Sequence, residues 1–378
     1  MLRGITWDHP RGLDPLLALN EPYSRLAEGV EVEWQTRSLA GFGEDPLEEL
    51  AKSFDLLIID HPFVGDAADS GAFRPLDALT GSEVIAERAR ASVGPSHASY
   101  DYAGHQWAFA IDAAAHVSAV HERHAGNPMP ITWDEVIEFS ARLRREGAWM
   151  AMPMWPADLV VATYSIANGL GVDLFVGDEV LPHSPGTVAI ELLKRLCDLS
   201  HPDALTWNPP AVLDHMRDDV VQYSPMLFGY SNYSRSTKAG DRVVFGNIPT
   251  GHGRPTGSCL GGAGIAISMS CAQPEAAMAY ASWVTSADVQ RGTYVRAGGQ
   301  PGRREAWTDP DVNEESADFF RRTLPTLEAA WVRPRIAGYQ QFQKHASAVM
   351  VDYVTGTLSA TATLDALDEL WQQTKAGG

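Results

Sequence analysis

At 378 residues, 45% of them hydrophobic and 20% charged, the chain has an ordinary globular balance and length for roughly two to three domain-sized units. The formal net charge of −19 argues against nucleic acid or an anionic membrane as partner, since both call for a basic face. Cys197, Cys259 and Cys271 are odd in number and lack CxxC spacing, against a disulfide framework or a zinc ribbon.

Leu2–Thr6 reads as a strand, Asp14–Ala27 as a helix and Val30–Gln35, which alternates, as a second strand. Asp45 and Pro46 then supply an N-cap and a first-turn proline, and Leu47, Leu50, Ala51 and Phe54 follow at helical spacing. Leu56–Asp60 is an apolar run of the kind a strand shows when both its faces are buried. This β-α-β-α-β opening predicts a parallel sheet with right-handed crossovers.

Gln106–Ser118 and Ser258–Ser268 read as two further strands that carry the chain from one lobe to the other. The same pattern also fits interior strands of one large α/β domain. Between them, Thr132 and Glu135 form a capping box at the head of a helix. Met152–Ala157 is a proline-rich loop around Trp155, and a mostly helical stretch follows, with breaks at Gly169–Asp173 and Ser184–Gly186. Tyr223–Tyr233 is aromatic without a clear period, and Gly246–Gly257 is a loop. Gln273-Pro274-Glu275 opens a helix that buries Ala277, Tyr280, Ala281 and Val284, Arg296–Arg304 is a loop, and the C-terminal helix buries Leu364, Leu367 and Trp371.

Open parallel sheets bind ligands outside the carboxyl ends of their strands. Here those ends carry Trp7-Asp8-His9, Arg37-Ser38 and Asp60-His61, polar and aromatic groups gathered on one edge. Each of them also suits an ordinary turn, but three such ends together favour a site.

Several enzyme signatures are absent: no G-x-S-x-G elbow, no P-loop and no H-E-x-x-H. Gly251-His252-Gly253 lacks the third glycine of a dinucleotide fingerprint, and no cofactor is expected. His121 and His124 read as a solvated helix end rather than metal ligands. Asp8, Asp60 and Asp112 suit acid–base work, and carboxylates near tryptophans more often hold sugar hydroxyls. Cys259 is the one nucleophile candidate, against the commoner reading of a buried thiol.

Pro130–Leu143 (PITWDEVIEFSARL), Leu260–Ser286 (LGGAGIAISMSCAQPEAAMAYASWVTS) and Gly298–Trp307 (GGQPGRREAW), in this order after the strand-opening N-terminus, resemble the extracellular solute-binding proteins of ABC transporters, the sugar-binding family 1 branch. The resemblance implies a two-lobed α/β periplasmic-binding-protein fold, each lobe a mostly parallel sheet flanked by helices. The N-terminal lobe would take residues 1–109 and 260–310, and the C-terminal lobe 110–259 and 311–378. Carried over, the ligand-binding residues in the interlobe cleft are Trp7, Asp8, His9, Asp60, His61, Asp112, Trp155, Tyr230, Gly261, Gly262 and Arg303. Arg37 and His116 join them as donors; with His9, Arg11, His61 and Arg303 they suit a ligand bearing a carboxylate, since arginine grips such groups with two parallel hydrogen bonds. A sugar acid thus stands beside a neutral sugar or polyol.

The implied function is capture of a small polar solute and its delivery to ABC transporter membrane subunits, by a monomer without nucleic-acid partners. An enzyme on the same scaffold, using Cys259 or a carboxylate, and a cytoplasmic ligand sensor are the alternatives. No run approaches the ~18 apolar residues of a membrane span, and MLRGITWDHP lacks the regions of a secretory signal. The expected location is the periplasm or cell surface if an export segment is missing from this chain, and the cytoplasm otherwise.

Overall fold

The computed structural model describes residues 1–27, 29–126, 128–235 and 240–377. Among these the strands, in chain order, are β1 (Leu2–Trp7), β2 (Val32–Arg37), β3 (Leu56–Ile59), β4 (Asp101–Tyr102), β5 (His105–Gln106), β6 (Phe109–His121), β7 (Tyr223–Phe228), β8 (Val243–Gly246) and β9 (Leu260–Ile267). No helix among the described residues is long and apolar enough to cross a membrane. The chain divides into two compact units, the first Met1–Ala114, Gly261–Glu314 and Arg333–Gln340, the second Ala115–Leu260, Glu315–Val332 and Gln341–Gly378. A unit boundary falls within β6, between Ala114 and Ala115, and another at the head of β9.

In the first unit β1 pairs in parallel with β2 and with β3, as the β-α-β-α-β reading predicts. β9 then pairs antiparallel with β3, so the sheet is mixed. Alternation on β3 sends Leu56 and Ile58 into one core and Leu57 and Ile59 into another. Ile265 and Ile267 of β9 join the first core and Ala266 the second, so both faces of this sheet are covered.

The local readings shift in three places. The first helix spans Pro10–Leu26 and starts earlier than expected because the His9 side chain caps it. β2 begins two residues late, after a turn at Gly29, whose φ of +93° suits glycine. Asp45 is the C-cap of a short helix, Leu39–Glu44, and not an N-cap; the helix beyond Pro46 lasts only from Leu47 to Leu50. Leu50, Ala51 and Phe54 still reach the core, and the hydrogen bond from the Arg3 amide to Asp55 marks the turn into β3.

In the second unit β6 pairs antiparallel with both β7 and β8, which corrects the expectation of a mostly parallel sheet in each lobe. The connection from β6 to β7 passes through the helices Trp133–Arg145, Pro156–Gly169, His183–Leu199 and Pro209–Arg217, a path long enough to bring β7 back in either direction. β7 lies in the stretch Tyr223–Tyr233, whose aromatic run shows no alternation because five of the six residues in the strand are buried. The capping box at Thr132 and Glu135 forms as read and opens the helix Trp133–Arg145. Helices Pro156–Gly169 and Ala360–Gly377 pack on helix His183–Leu199, with Leu364, Leu367 and Trp371 buried. His121, expected at a solvated helix end, is the last residue of β6 and is buried.

Candidate functional site

The pairing order β2-β1-β3 puts the carboxyl ends of three strands side by side on the first unit, with Trp7 opposite Arg37. Trp7 is buried against Phe42, ring centroids 5.1 Å apart, and the lack of a side chain at Gly12 leaves room for its indole. Asp8, just beyond it, is exposed and ties the strand ends together by donating its amide to the Arg37 carbonyl at 2.7 Å. His9 accepts from the Arg11 amide at 3.0 Å; burial and the Arg11 charge push its imidazole down to about 4. Arg37 is buried and donates to the Gly41 and Ile58 carbonyls, both at 3.1 Å, and burial lowers its guanidinium to about 10.

Asp60, at the end of β3, caps the following turn by accepting the His61 amide at 2.8 Å. Its other oxygen accepts from Arg333 at 2.6 Å. Burial by itself would raise this carboxyl, but the Arg333 and His61 neighbours outweigh it and hold Asp60 well below the usual carboxylate range. His61 is fully buried with its Nδ1 3.2 Å from Asp60 Oδ1, and burial together with Arg333 pushes it down to about 4. Arg333 was absent from the sequence reading. Only its place in an Arg-Pro-Arg run marked it, and a partner 273 positions away leaves no local pattern.

Asp112 is 1% exposed and is gripped by the Nε and Nη2 of Arg11. Burial raises its carboxyl, and the arginine opposes that rise. Gly262 has φ +104°, and a Cβ there would lie 2.5 Å from the Asp112 carbonyl oxygen, so this glycine is required by close approach of backbone. Gly261 beside it is half-buried. Arg303 is buried apart from the strand ends: it pairs with Glu87 and Glu305 and donates to the Thr285 carbonyl at 3.1 Å. The structure thus gathers Trp7, Asp8, His9, Arg37, Asp60 and His61 at one edge, with Arg11 linking Asp112 to the helix that starts there.

The remaining candidates belong to the second unit. Trp155 is 43% exposed at the head of helix Pro156–Gly169, its amide fixed on the Trp207 carbonyl at 3.1 Å. Asp158, in the first turn of that helix, was not singled out from the sequence; burial pushes its carboxyl up to about 8. Tyr230 is buried with its ring 6.3 Å from Tyr233. His116 lies inside, its Nδ1 2.8 Å from Ser165 Oγ, and the same oxygen accepts the Cys259 amide at 2.8 Å. Cys259 is fully buried with its thiol directed to the Leu260 carbonyl, which keeps the sulfur from any substrate.

These groups can accept and donate hydrogen bonds and present aromatic surface, but most of the cations are already committed. A family model described as bacterial extracellular solute-binding protein matches residues 14–291. Among curated proteins, a probable amino-acid ABC transporter periplasmic-binding protein, y4oP, of Sinorhizobium fredii is 26% identical over 195 residues, which are 50% of this chain and 44% of that relative. Of solved structures, maltose-bound MalE3 of T. maritima is similar at TM-score 0.83 and 18% identity, over 100% of this chain and 99% of that one. A solute-binding protein of Agrobacterium radiobacter in complex with ribitol gives TM-score 0.81 and 21% identity over 100% and 98%. One from Agrobacterium vitis with bound D-mannitol gives 0.79 and 16% over 100% and 99%. At these identities the likeness shows the fold, that of the bilobal periplasmic binding proteins.

Proposed function

The chain belongs to the bacterial extracellular solute-binding protein family, and from that premise we propose that it captures a neutral polyhydroxy solute, a sugar or polyol, for an ABC transporter. The observation that carries the choice of a neutral ligand is the fate of the cations. Arg11 is occupied by Asp112, Arg333 by Asp60, Arg303 by Glu87 and Glu305, and Arg37 by two carbonyls. His9 and His61, both lowered to about 4, are neutral at pH 7. A carboxylate-bearing ligand would need at least one of these arginines to leave a partner that is itself buried or charged, at a cost of several kcal/mol. Hydroxyl groups need no such exchange: on the first unit Asp8 offers an exposed carboxylate, and on the second Trp155 offers an exposed ring and Asp158, raised to about 8, a carboxyl that at pH 7 is protonated and both donates and accepts.

The relatives point the same way, with maltose, ribitol and mannitol bound in three proteins of this fold. The family is extracellular, so the place of action is the periplasm or the cell surface, and the partners are the membrane subunits of a transporter. The matched segment of the curated relative spans less than half of that protein, so its amino-acid label does not decide the ligand here.

A thermal-shift screen over sugars, polyols, sugar acids and amino acids tests the reading, because a ligand bound only by the folded form raises the melting point. A neutral sugar or polyol is expected to shift it and to be recovered unchanged. A response confined to sugar acids or amino acids would overturn the neutral-ligand reading.

A further inference from the structure

We propose that Glu179, His183 and Asp368, on the second unit, bind a divalent transition-metal ion, zinc in the first place. Two stretches of chain supply the ligands. Glu179 closes a short turn bridged to Val176, His183 is the first residue of helix His183–Leu199, and Asp368 lies in helix Ala360–Gly377. One ligand atom from each lies within 4.8 Å of the other two.

The spacing suits an ion. Ligands at ~2.1 Å from a tetrahedral zinc stand ~3.4 Å from one another. The His183 Nε2 is 3.2 Å from Asp368 Oδ2 and 3.7 Å from Asp365 Oδ1, on either side of that edge length. At the 4.8 Å limit, the centre of an equilateral triangle is ~2.8 Å from each corner, so inward side-chain movements of ~0.7 Å complete the contact. No change of backbone is called for.

The fixed member of the set is Asp368. It is 8% exposed, and its Oδ1 accepts the Val180 amide at 2.7 Å, which aims Oδ2 at the imidazole. A hydrogen bond of this kind behind a ligating carboxylate is what orients metal ligands in known sites. The other two members face solvent: the His183 side chain is 43% exposed, and Glu179 is exposed, so an ion has a route in and room for water. Two carboxylates, with Asp365 as a third at the rim, face one imidazole. The neighbouring ammonium of Lys375 is held by Asp178 and the Gly177 carbonyl. One imidazole with carboxylates suits zinc or manganese better than magnesium or calcium, whose ligands are oxygen alone. An ion here would staple the Val176–Val180 turn to the C-terminal helix.

The test uses the full-length protein after chelator treatment, titrated with zinc chloride in calorimetry and in thermal unfolding, with manganese and magnesium chlorides alongside. Zinc is expected to bind at one site and to raise the melting point by about 3 °C or more at saturation. His183→Ala and Glu179→Ala, both at exposed positions, should each weaken zinc at least tenfold while moving the metal-free melting point by no more than about 1 °C. Asp368 is left intact because it also caps the Val180 amide. Absence of binding by zinc and manganese overturns the proposal, as does zinc binding that survives in both variants. Sugar binding by the two variants should match the unaltered protein, which separates this site from the solute-binding reading.

Discussion

The guanidinium of Arg333 stands 2.6 Å from Asp60 Oδ2, an ion pair inside the first unit between residues 273 positions apart. Arg333 is 4% exposed, and the Asp60 side chain retains 15% of its surface. Arg333→Ala should therefore cost about 3 kcal/mol, because it strands a carboxylate in a poorly solvated place. Chemical denaturation measures it, and Asp60→Asn in the Arg333→Ala background should recover part of the loss. For Asp60 the folded-state value is depressed, so its contribution is present above about pH 4, its unfolded value, and fades only as the pH falls below that.

His61 sets a second, separate pH dependence. Its folded-state value of about 4 lies below the unfolded value of 6.5, so between the two the unfolded chain binds the extra proton. Stability is then full above about pH 6.5 and declines as the pH falls toward 4, by about 3 kcal/mol for this one residue. His61→Phe should flatten the stability slope between pH 4.5 and 6 by about 1.4 kcal/mol per pH unit. Denaturation midpoints measured across that range show whether it does.

Gly262→Ala should destabilise the protein by about 2 kcal/mol or more. The backbone there is left-handed, and the added carbon would press on the Asp112 carbonyl. Thermal unfolding reports the effect. The same substitution at Gly71, also left-handed but with open space around its Cβ, should cost about 1 kcal/mol.

Trp155→Ala should separate binding from folding. With 43% of its surface exposed, the residue contributes little to the core, so the melting point should move by no more than about 2 °C. Loss of the stacking surface should weaken a bound sugar about tenfold, read by titration calorimetry.

Much of the first unit was legible because its strands are buried on both faces and read as apolar runs, as at Leu56–Ile59. The Thr132 and Glu135 capping box and the helix after Gln273 were equally plain, since their signals lie within four residues. β7 and β8 were not, because a short buried strand without alternation looks like loop or helix. The site was legible as positions and not as states. Trp7, Arg37 and Asp60 could be placed at strand ends from pattern alone. That Arg11, Arg37 and Arg303 are spent on internal partners depends on contacts between distant segments, and it is those partners that weigh against the sugar acid the sequence leaves beside a neutral sugar. The family motifs named a fold and carried no information about those partners.

The return of Arg333–Gln340 to the first unit has a bearing on biosynthesis. A Cβ on Gly65 would collide with the Arg335 carbonyl, so this piece lies directly on the helix that begins at Val64. Synthesis must therefore pass Gln340, beyond the whole Ala115–Leu260 segment of the other unit, before the first unit can finish folding. Until then Asp60 waits for its counter-ion, and a nascent chain cut short of Arg333 would be prey for proteases even though every strand of that half had already been made.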